Sequence, residues 1–257
     1  MAEAIISGAL RHGVLKKEQV LLKGHTKERV QYMVEAYGIS ELANLDAVAT
    51  DVDVVVLAVK PYIIPTVLAE LGSLPPSTVV VSIAAGVTLA VLAEGLPPGT
   101  PVIRVMPNTP VSVGEGMSAV SVNALATEDM IQQVRSVFNA IGKTVVGTEA
   151  MLDAIGAVAG CGPGYAFVII DALADAGVRI GLTRKIAIEA AAQMLYGAAK
   201  MVLETGTHPA VLRDQVTSPG GTTVAGIAAM EKGGLRSALM DGVVAAMDRT
   251  LEMGKRK

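Results

Sequence analysis

The stretch STVVVSIAAG at 77–86 and its counterpart DVDVVVLAVKP at 51–61 are apolar at nearly every central position. A strand with one face in water alternates apolar and polar side chains. A strand buried on both faces does not, and such strands belong to parallel sheets covered by helices on either side. Further β-branched runs at 20–22, 102–105, 118–122 and 144–146 continue the theme, with helix-like stretches such as 27–37 and 129–141 between them. This rhythm predicts an α/β fold over 1–148, a doubly wound, Rossmann-like parallel sheet. From 149 onward the β-branched runs cease. Segments 163–180, 184–204, 209–215, 221–232 and 235–253 are rich in Ala, Leu and Met and are separated by Gly or Pro. They predict a second, all-helical domain over 149–257. Its first helix carries Pro163 in the opening turn and meets Gly181 at its end, the asymmetry expected of a helix.

Composition narrows the function. The chain is 51% hydrophobic with mean hydropathy +0.51, enough to raise the question of a membrane span. The densest runs, 54–59 and 165–170, are closed by Lys60-Pro61 and by Asp171. Both fall short of the roughly 18–20 residues that a span needs, so no membrane partner is expected. The excess is read instead as helix packing that continues across a subunit interface. A net charge of −3 argues against a nucleic-acid partner. A single cysteine, Cys161, excludes an internal disulfide. His12, His25 and His208 are scattered, so no metal site is expected. The start carries Glu3 and no basic flank, a poor export signal, and a cytoplasmic setting is expected.

Ligands of open α/β sheets bind at the carboxyl ends of the strands. Three loops leave such ends here: AVKP (Ala58, Val59, Lys60, Pro61), SIAAGV (82–87, with Ile83, Ala84 and Ala85) and VMPNTP (105–110, with Asn108). Small residues in the second loop would let a flat ring approach the backbone. After the first strand stands KGHTKER (23–29), where an NAD site would place an acid against the ribose 2′-hydroxyl. His25, Thr26 and Lys27 occupy that loop and Glu28 lies past it. Hydroxyl, imidazole and ammonium suit a 2′-phosphate, so NADPH is expected over NADH, with NADH possible. The alternative for these residues is a solvated helix start.

The sharpest stretch is TSPGGTTVAGIAAMEKGG at 217–234. Ser218, Pro219, Gly220 and Gly221 lead directly into a helix that opens on Thr222 and Thr223. Free backbone N–H groups and hydroxyls at a positive helix end form a carboxylate site. A well-capped helix is the plainer alternative, but a cap does not need paired glycines.

With these motifs in hand, the chain resembles pyrroline-5-carboxylate reductases over its whole length. AVKP, SIAAGVT, VMPNTP, AGCGPGYAF (159–167), DALADAGVRIGL (171–182) and DQVTSPGGTTVAGIAAMEKGGLRSALMDGV (214–243) follow the family's order and spacing. The resemblance implies a homodimer with interlocked helical domains. The implied reaction is hydride transfer from NAD(P)H to C5 of 1-pyrroline-5-carboxylate, giving L-proline in the last step of its biosynthesis. It places Thr223 on the ring nitrogen with Thr222 beside it, and Ser218 with the backbone of 220–222 on the carboxylate. Glu149 matches a substrate-side position and Gln215 a cofactor-side one. Ala58–Lys60 and Ile83–Ala85 match nicotinamide contacts, and Asn44 matches a contact near the adenosine. Cys161, where the family often has serine, is read as a packing residue, and Gly164 replaces a usual alanine.

The chain opens MAEAIISGALRHGVLKKEQVLLKG (1–24) with an apolar helix, where a strand and a glycine-rich turn would normally come first. The expectation is that this strand is missing from the chain and not from the fold, so that the 257-residue polypeptide binds NADPH poorly. Two rival readings remain. One is a β-hydroxyacid-type dehydrogenase, for which no motif singles out Lys185, Lys200 or Lys232. The other is a non-catalytic dimer that has lost its cofactor site.

Overall fold

The computed structural model describes residues 1–42, 45, 52–72 and 74–255, and Asn44 lies outside them. Contacts divide the chain into two units, 1–161 with 246–257 and 162–245.

In the first unit, β3 (Val54–Leu57), β4 (Val79–Ser82), β5 (Val102–Pro107), β6 (Gly116–Val122) and β7 (Gly142–Val146) form a five-stranded sheet in that order. The all-apolar reading of 77–86 is borne out where it was sharpest. Val79, Val80 and Val81 are each 0% exposed, with Val80 in the cluster on one face and Val79 and Val81 in the cluster on the other. Each buried valine contributes on the order of 1.5–3 kcal/mol. The helices covering the faces are α1 (Ala2–Arg11), α3 (Ile64–Glu70), α4 (Leu89–Glu94) and α5 (Glu128–Asn139). The sheet is not wholly parallel: β3, β4 and β5 run parallel, but β6 is antiparallel to β5. Only a short 3₁₀ turn, Thr109–Val113, joins β5 to β6, too little chain for the crossover that a parallel neighbour requires.

A separate parallel pair, β1 (Leu21–Leu22) with β2 (Ser40–Glu41), flanks α2 (Lys27–Tyr37). Helix α1 packs on both layers, through Ile5 on the large sheet and through Ile6 and Leu10 beside Val20 and Met33. Its Gly8 has no room for a side chain, since a Cβ would stand 1.9 Å from Ile141 Cγ2. Glu3 clips α1 to α2. Its carboxylate accepts from Arg29 Nη2 at 2.5 Å, Tyr37 Oη at 2.9 Å and Tyr32 Oη at 3.1 Å. The Arg29 and Tyr37 bonds hold the Glu3 pKa below the ordinary glutamate value, while the same bond to Glu3 raises that of Tyr37. A carboxylate with a depressed folded pKa stabilises at neutral pH, and that stabilisation is lost as pH falls through the folded value. Carbon-detected NMR titration should therefore find Glu3 below the ordinary glutamate value, and Arg29→Ala should raise it only part of the way back, because the Tyr37 bond remains.

The first unit also holds α6 (Glu149–Ile155) and a π-helical turn, Gly156–Gly160. The second unit is helical throughout: α7 (Gly162–Arg179), α8 (Arg184–Thr205), α9 (Pro209–Gln215) and α10 (Thr222–Lys232). The last helix, α11 (Leu235–Lys255), begins in this unit and ends in the first. Helices α7 and α8 pack as a hairpin around a small-residue contact, where a Cβ on Gly177 would meet that of Ala187 at 2.9 Å. Large apolar side chains remain exposed along these helices, among them Phe167, Val168, Leu203 and Met240. Two helical stretches, Glu149–Arg179 and Arg184–Thr205, are long and apolar enough to cross a membrane by length and composition. Separate apolar runs read from the sequence understate this, because the helices run on through their polar interruptions.

Candidate active site

Parallel pairing sets the carboxyl ends of β3 and β4 side by side, with Leu57 opposite Ser82. The loops that follow therefore share one edge. Ala58–Pro61 leads into the 3₁₀ turn Pro61–Ile63, and Ile83–Ala85 follows β4. The second loop is held at its start, where Ile83 N–H donates to the Leu57 carbonyl at 3.2 Å and Ala84 N–H to Ser82 Oγ at 3.3 Å. Gly86 takes φ +75°, which only glycine adopts freely, and lets the chain turn into α4. Thr88 caps that helix by accepting from Val91 N–H.

Arg104 and Asp153 went unsingled in the sequence. Arg104 projects from β5 with its side chain only 4% exposed. Its Nη1 donates to Glu149 Oε1 at 2.5 Å and its Nη2 to Asp153 Oδ1 at 3.3 Å. The same Glu149 oxygen accepts from Leu89 N–H at 2.9 Å. Glu149 is thus engaged by the sheet and by the first residue of α4. The available signal was an arginine inside the apolar run VIRVMP, since a buried charge in a strand needs partners. Asn108 is also engaged. Its Nδ2 donates to the Ala159 carbonyl in the π turn, and its Oδ1 accepts from Met117 N–H, both at 2.9 Å. Cys161 lies exposed at the end of that turn.

His25, Thr26 and Lys27 stand after β1, all exposed. Thr26 is the N-cap of α2 but its hydroxyl caps nothing, whereas the N-cap threonines 88, 127, 148 and 183 each accept from the helix they start. A hydroxyl, uncapped N–H groups and a neighbouring ammonium with no carboxylate over 23–27 form a donor set that fits a phosphate.

In the second unit, 218–221 make a tight turn, with Gly221 N–H donating to the Ser218 carbonyl at 3.0 Å. Gly220 takes φ +70°, and a Cβ on Gly221 would stand 2.4 Å from Ser218 Oγ. Both glycines are thereby explained: one by conformation, the other by the approach of the serine hydroxyl. Helix α10 begins at Thr222 with no side-chain cap at Gly221. Its first N–H groups and the exposed hydroxyls of Thr222 and Thr223 are uncommitted, a donor set suited to a carboxylate and a polar N–H. Gln215 closes α9 ahead of the turn and is exposed. No group of three or more metal-ligating side chains occurs among the described residues.

Two family descriptions match this chain: pyrroline-5-carboxylate reductase dimerisation over 149–253, and NADP oxidoreductase, coenzyme F420-dependent, over 1–86. The pyrroline-5-carboxylate reductase of Arabidopsis thaliana is 42% identical over 256 residues, covering 99% of this chain and 92% of the plant protein. Among solved structures, a pyrroline-5-carboxylate reductase from Coxiella burnetii superposes with a TM-score of 0.92 at 33% identity, covering 99% of this chain and 95% of that one. A Plasmodium falciparum pyrroline carboxylate reductase with NADP bound gives 0.86 at 30% identity, covering 98% and 94%.

Proposed function

The chain belongs to the pyrroline-5-carboxylate reductase family, and from that premise we propose how its residues share the family's reaction. The protein is an NAD(P)H-dependent oxidoreductase that reduces 1-pyrroline-5-carboxylate to L-proline, the final step of proline biosynthesis. NADPH supplies the hydride when bound. Everything else falls to placement and charge, because a protonated C=N is already electrophilic and no nucleophile is needed.

The observation that carries the assignment is the uncommitted donor set of the Ser218–Thr223 turn. In this reading Ser218 and the N–H groups from Gly220 to Thr222 hold the substrate carboxylate. The Thr223 hydroxyl oxygen accepts the ring N–H, with Thr222 next to it, and Gln215 borders the site. Ala58–Pro61 and Ile83–Ala85 receive the nicotinamide half, and Asn108, after β5, is held by its bonds to Ala159 and Met117 at the cofactor side of the sheet. His25, Thr26 and Lys27 receive the 2′-phosphate. Functionally, 1–148 serves as the cofactor domain and 149–257 as the dimerisation and substrate domain, a division supported by the family match that opens at 149. The exposed apolar faces of α7 and α8 support helical domains that interlock in a cytoplasmic homodimer. The direct test is NADPH oxidation on addition of pyrroline-5-carboxylate; no oxidation by a properly folded dimer would overturn the assignment.

Cofactor choice has its own test. Thr26→Asp sets a carboxylate where the 2′-phosphate is placed and should raise the NADPH dissociation constant about fivefold, the size of a surface charge effect near 1 kcal/mol. NADH affinity should hold or improve. Equal weakening of both cofactors would remove the 2′-phosphate from this loop.

A further inference from the structure

We infer that Arg104 is a positioning residue for hydride transfer, acting through Glu149 to hold the loop that receives the nicotinamide. The inference rests on the assignment of Ile83–Ala85 made above and adds what keeps that loop in place.

The loop after β4 has two anchors. The first is local: the Ile83 and Ala84 N–H groups bond to Leu57 and Ser82. The second comes from far along the chain, where Leu89 N–H, at the start of α4, donates to Glu149 Oε1. Glu149 opens α6 and is about one-third exposed, so without help its side chain would exchange between rotamers and water. Arg104 prevents that. Its guanidinium emerges from the middle of β5, a largely buried strand, and bonds the same carboxylate oxygen. Asp153, one turn further along α6, takes the other terminal nitrogen and fixes the plane of the guanidinium. The bonded chain thus runs from the rigid sheet through Arg104 and Glu149 to the backbone where the loop ends.

A second observation ties Arg104 to the loop. Together with Ala85 and Gly86 it lines a small cavity of about 50 Å³, which Met106, Asp153 and Cys161 also border. The arginine therefore faces the loop across this cavity as well as anchoring its far end. A buried cation with two acids is a poor source of net stability compared with an apolar replacement. Its geometric precision does suit a loop whose displacement by about 1 Å would slow hydride transfer.

The test uses the whole 257-residue protein and reads cofactor binding by NADPH fluorescence alongside steady-state kinetics. Arg104→Met should weaken NADPH binding and lower kcat, each about tenfold, while binding of 2′,5′-ADP, which lacks the nicotinamide half, stays within twofold. Arg104→Lys, able to reach one carboxylate, should recover most of the loss. Glu149→Gln keeps an acceptor for Leu89 N–H without the charge and should fall between; being partly exposed, it keeps the test valid if Arg104→Met does not fold. Ala85→Leu probes the underlying assignment by filling the nicotinamide side of the loop. If Ala85→Leu blocks NADPH but the Arg104 and Glu149 variants bind and turn over like the parent, the positioning role is wrong. If Ala85→Leu leaves NADPH binding intact, the loop assignment itself fails. Equal loss of 2′,5′-ADP and NADPH in Arg104→Met would mark general disruption and overturn the inference.

Discussion

Thr223→Ala is expected to lower kcat for pyrroline-5-carboxylate reduction by about ten- to a hundredfold while leaving the NADPH dissociation constant within twofold. Thr223 lies in the first turn of α10, exposed, with its hydroxyl uncommitted, next to a turn whose glycines leave the helix N–H groups open. In the proposed assignment the hydroxyl oxygen accepts the N–H of the protonated imine. A hydrogen bond to a charged partner is worth about 1.5–3 kcal/mol, which sets the range of the rate effect. Thr223→Ser retains the oxygen and should stay within a few fold of the parent. Thr222→Ala, one position away on the helix, keeps the backbone N–H that the proposed assignment gives to the carboxylate, and should leave kcat and KM within a few fold of the parent. Pre-steady-state measurement of NADPH oxidation separates these cases. Parental kinetics in Thr223→Ala would remove the residue from the ring nitrogen and with it the proposed orientation of the substrate.

Gly142→Ala should destabilise the protein by about 2–5 kcal/mol, from backbone strain and steric overlap together. Gly142 starts β7 opposite Gly116 on β6 and takes φ +153°, a conformation that side chains rarely adopt. A Cβ there would stand 2.0 Å from the Gly116 carbonyl oxygen and 2.5 Å from its backbone nitrogen and carbonyl carbon. Backbone in a paired strand cannot swing aside as a side chain can, so the two strands must part. The sheet edge then loosens beneath Phe138 and Ile141, both buried in the same core cluster. Gly13→Ala is the control: φ is +67° there, but a Cβ would meet nothing within 4 Å. It should cost only ~1–2 kcal/mol of local strain. Urea unfolding at fixed protein concentration measures both. If the two substitutions cost the same, contact with Gly116 contributes nothing and β6–β7 pairing is looser than the register implies.

The fold was legible wherever a residue's surroundings follow from its near neighbours along the chain. Three valines in a row at 79–81 can be buried only if both faces of the strand are covered, and all three are. Gly and Pro punctuation of 163–234 marked the helices because those residues act on backbone dihedrals within a turn or two. The Ser218–Thr223 site was readable for the same reason: a turn, two glycines and a helix start are all local. The reversal of β6 against β5 was not read, although the shortness of 108–115 carried that information. β-Branched composition marks a strand without its direction.

What tertiary structure alone decided is the partnership of residues far apart in sequence. Glu149 and Asp153 stand 45 and 49 positions from Arg104, and Glu149 reaches back 60 positions to Leu89. Nothing local to VIRVMP or to TEAMLDAI tells which charge answers which. Their pairing exists because α6 returns to β5 and to the start of α4, which both come long before it in the chain. Asn108 bonds to Ala159 across a similar gap, so an asparagine between two prolines serves as a brace that its own loop could not disclose. The sequence determined which residues can bond or bury. The path of the chain through three dimensions selected their partners, because a long-range contact depends on every element that lies between.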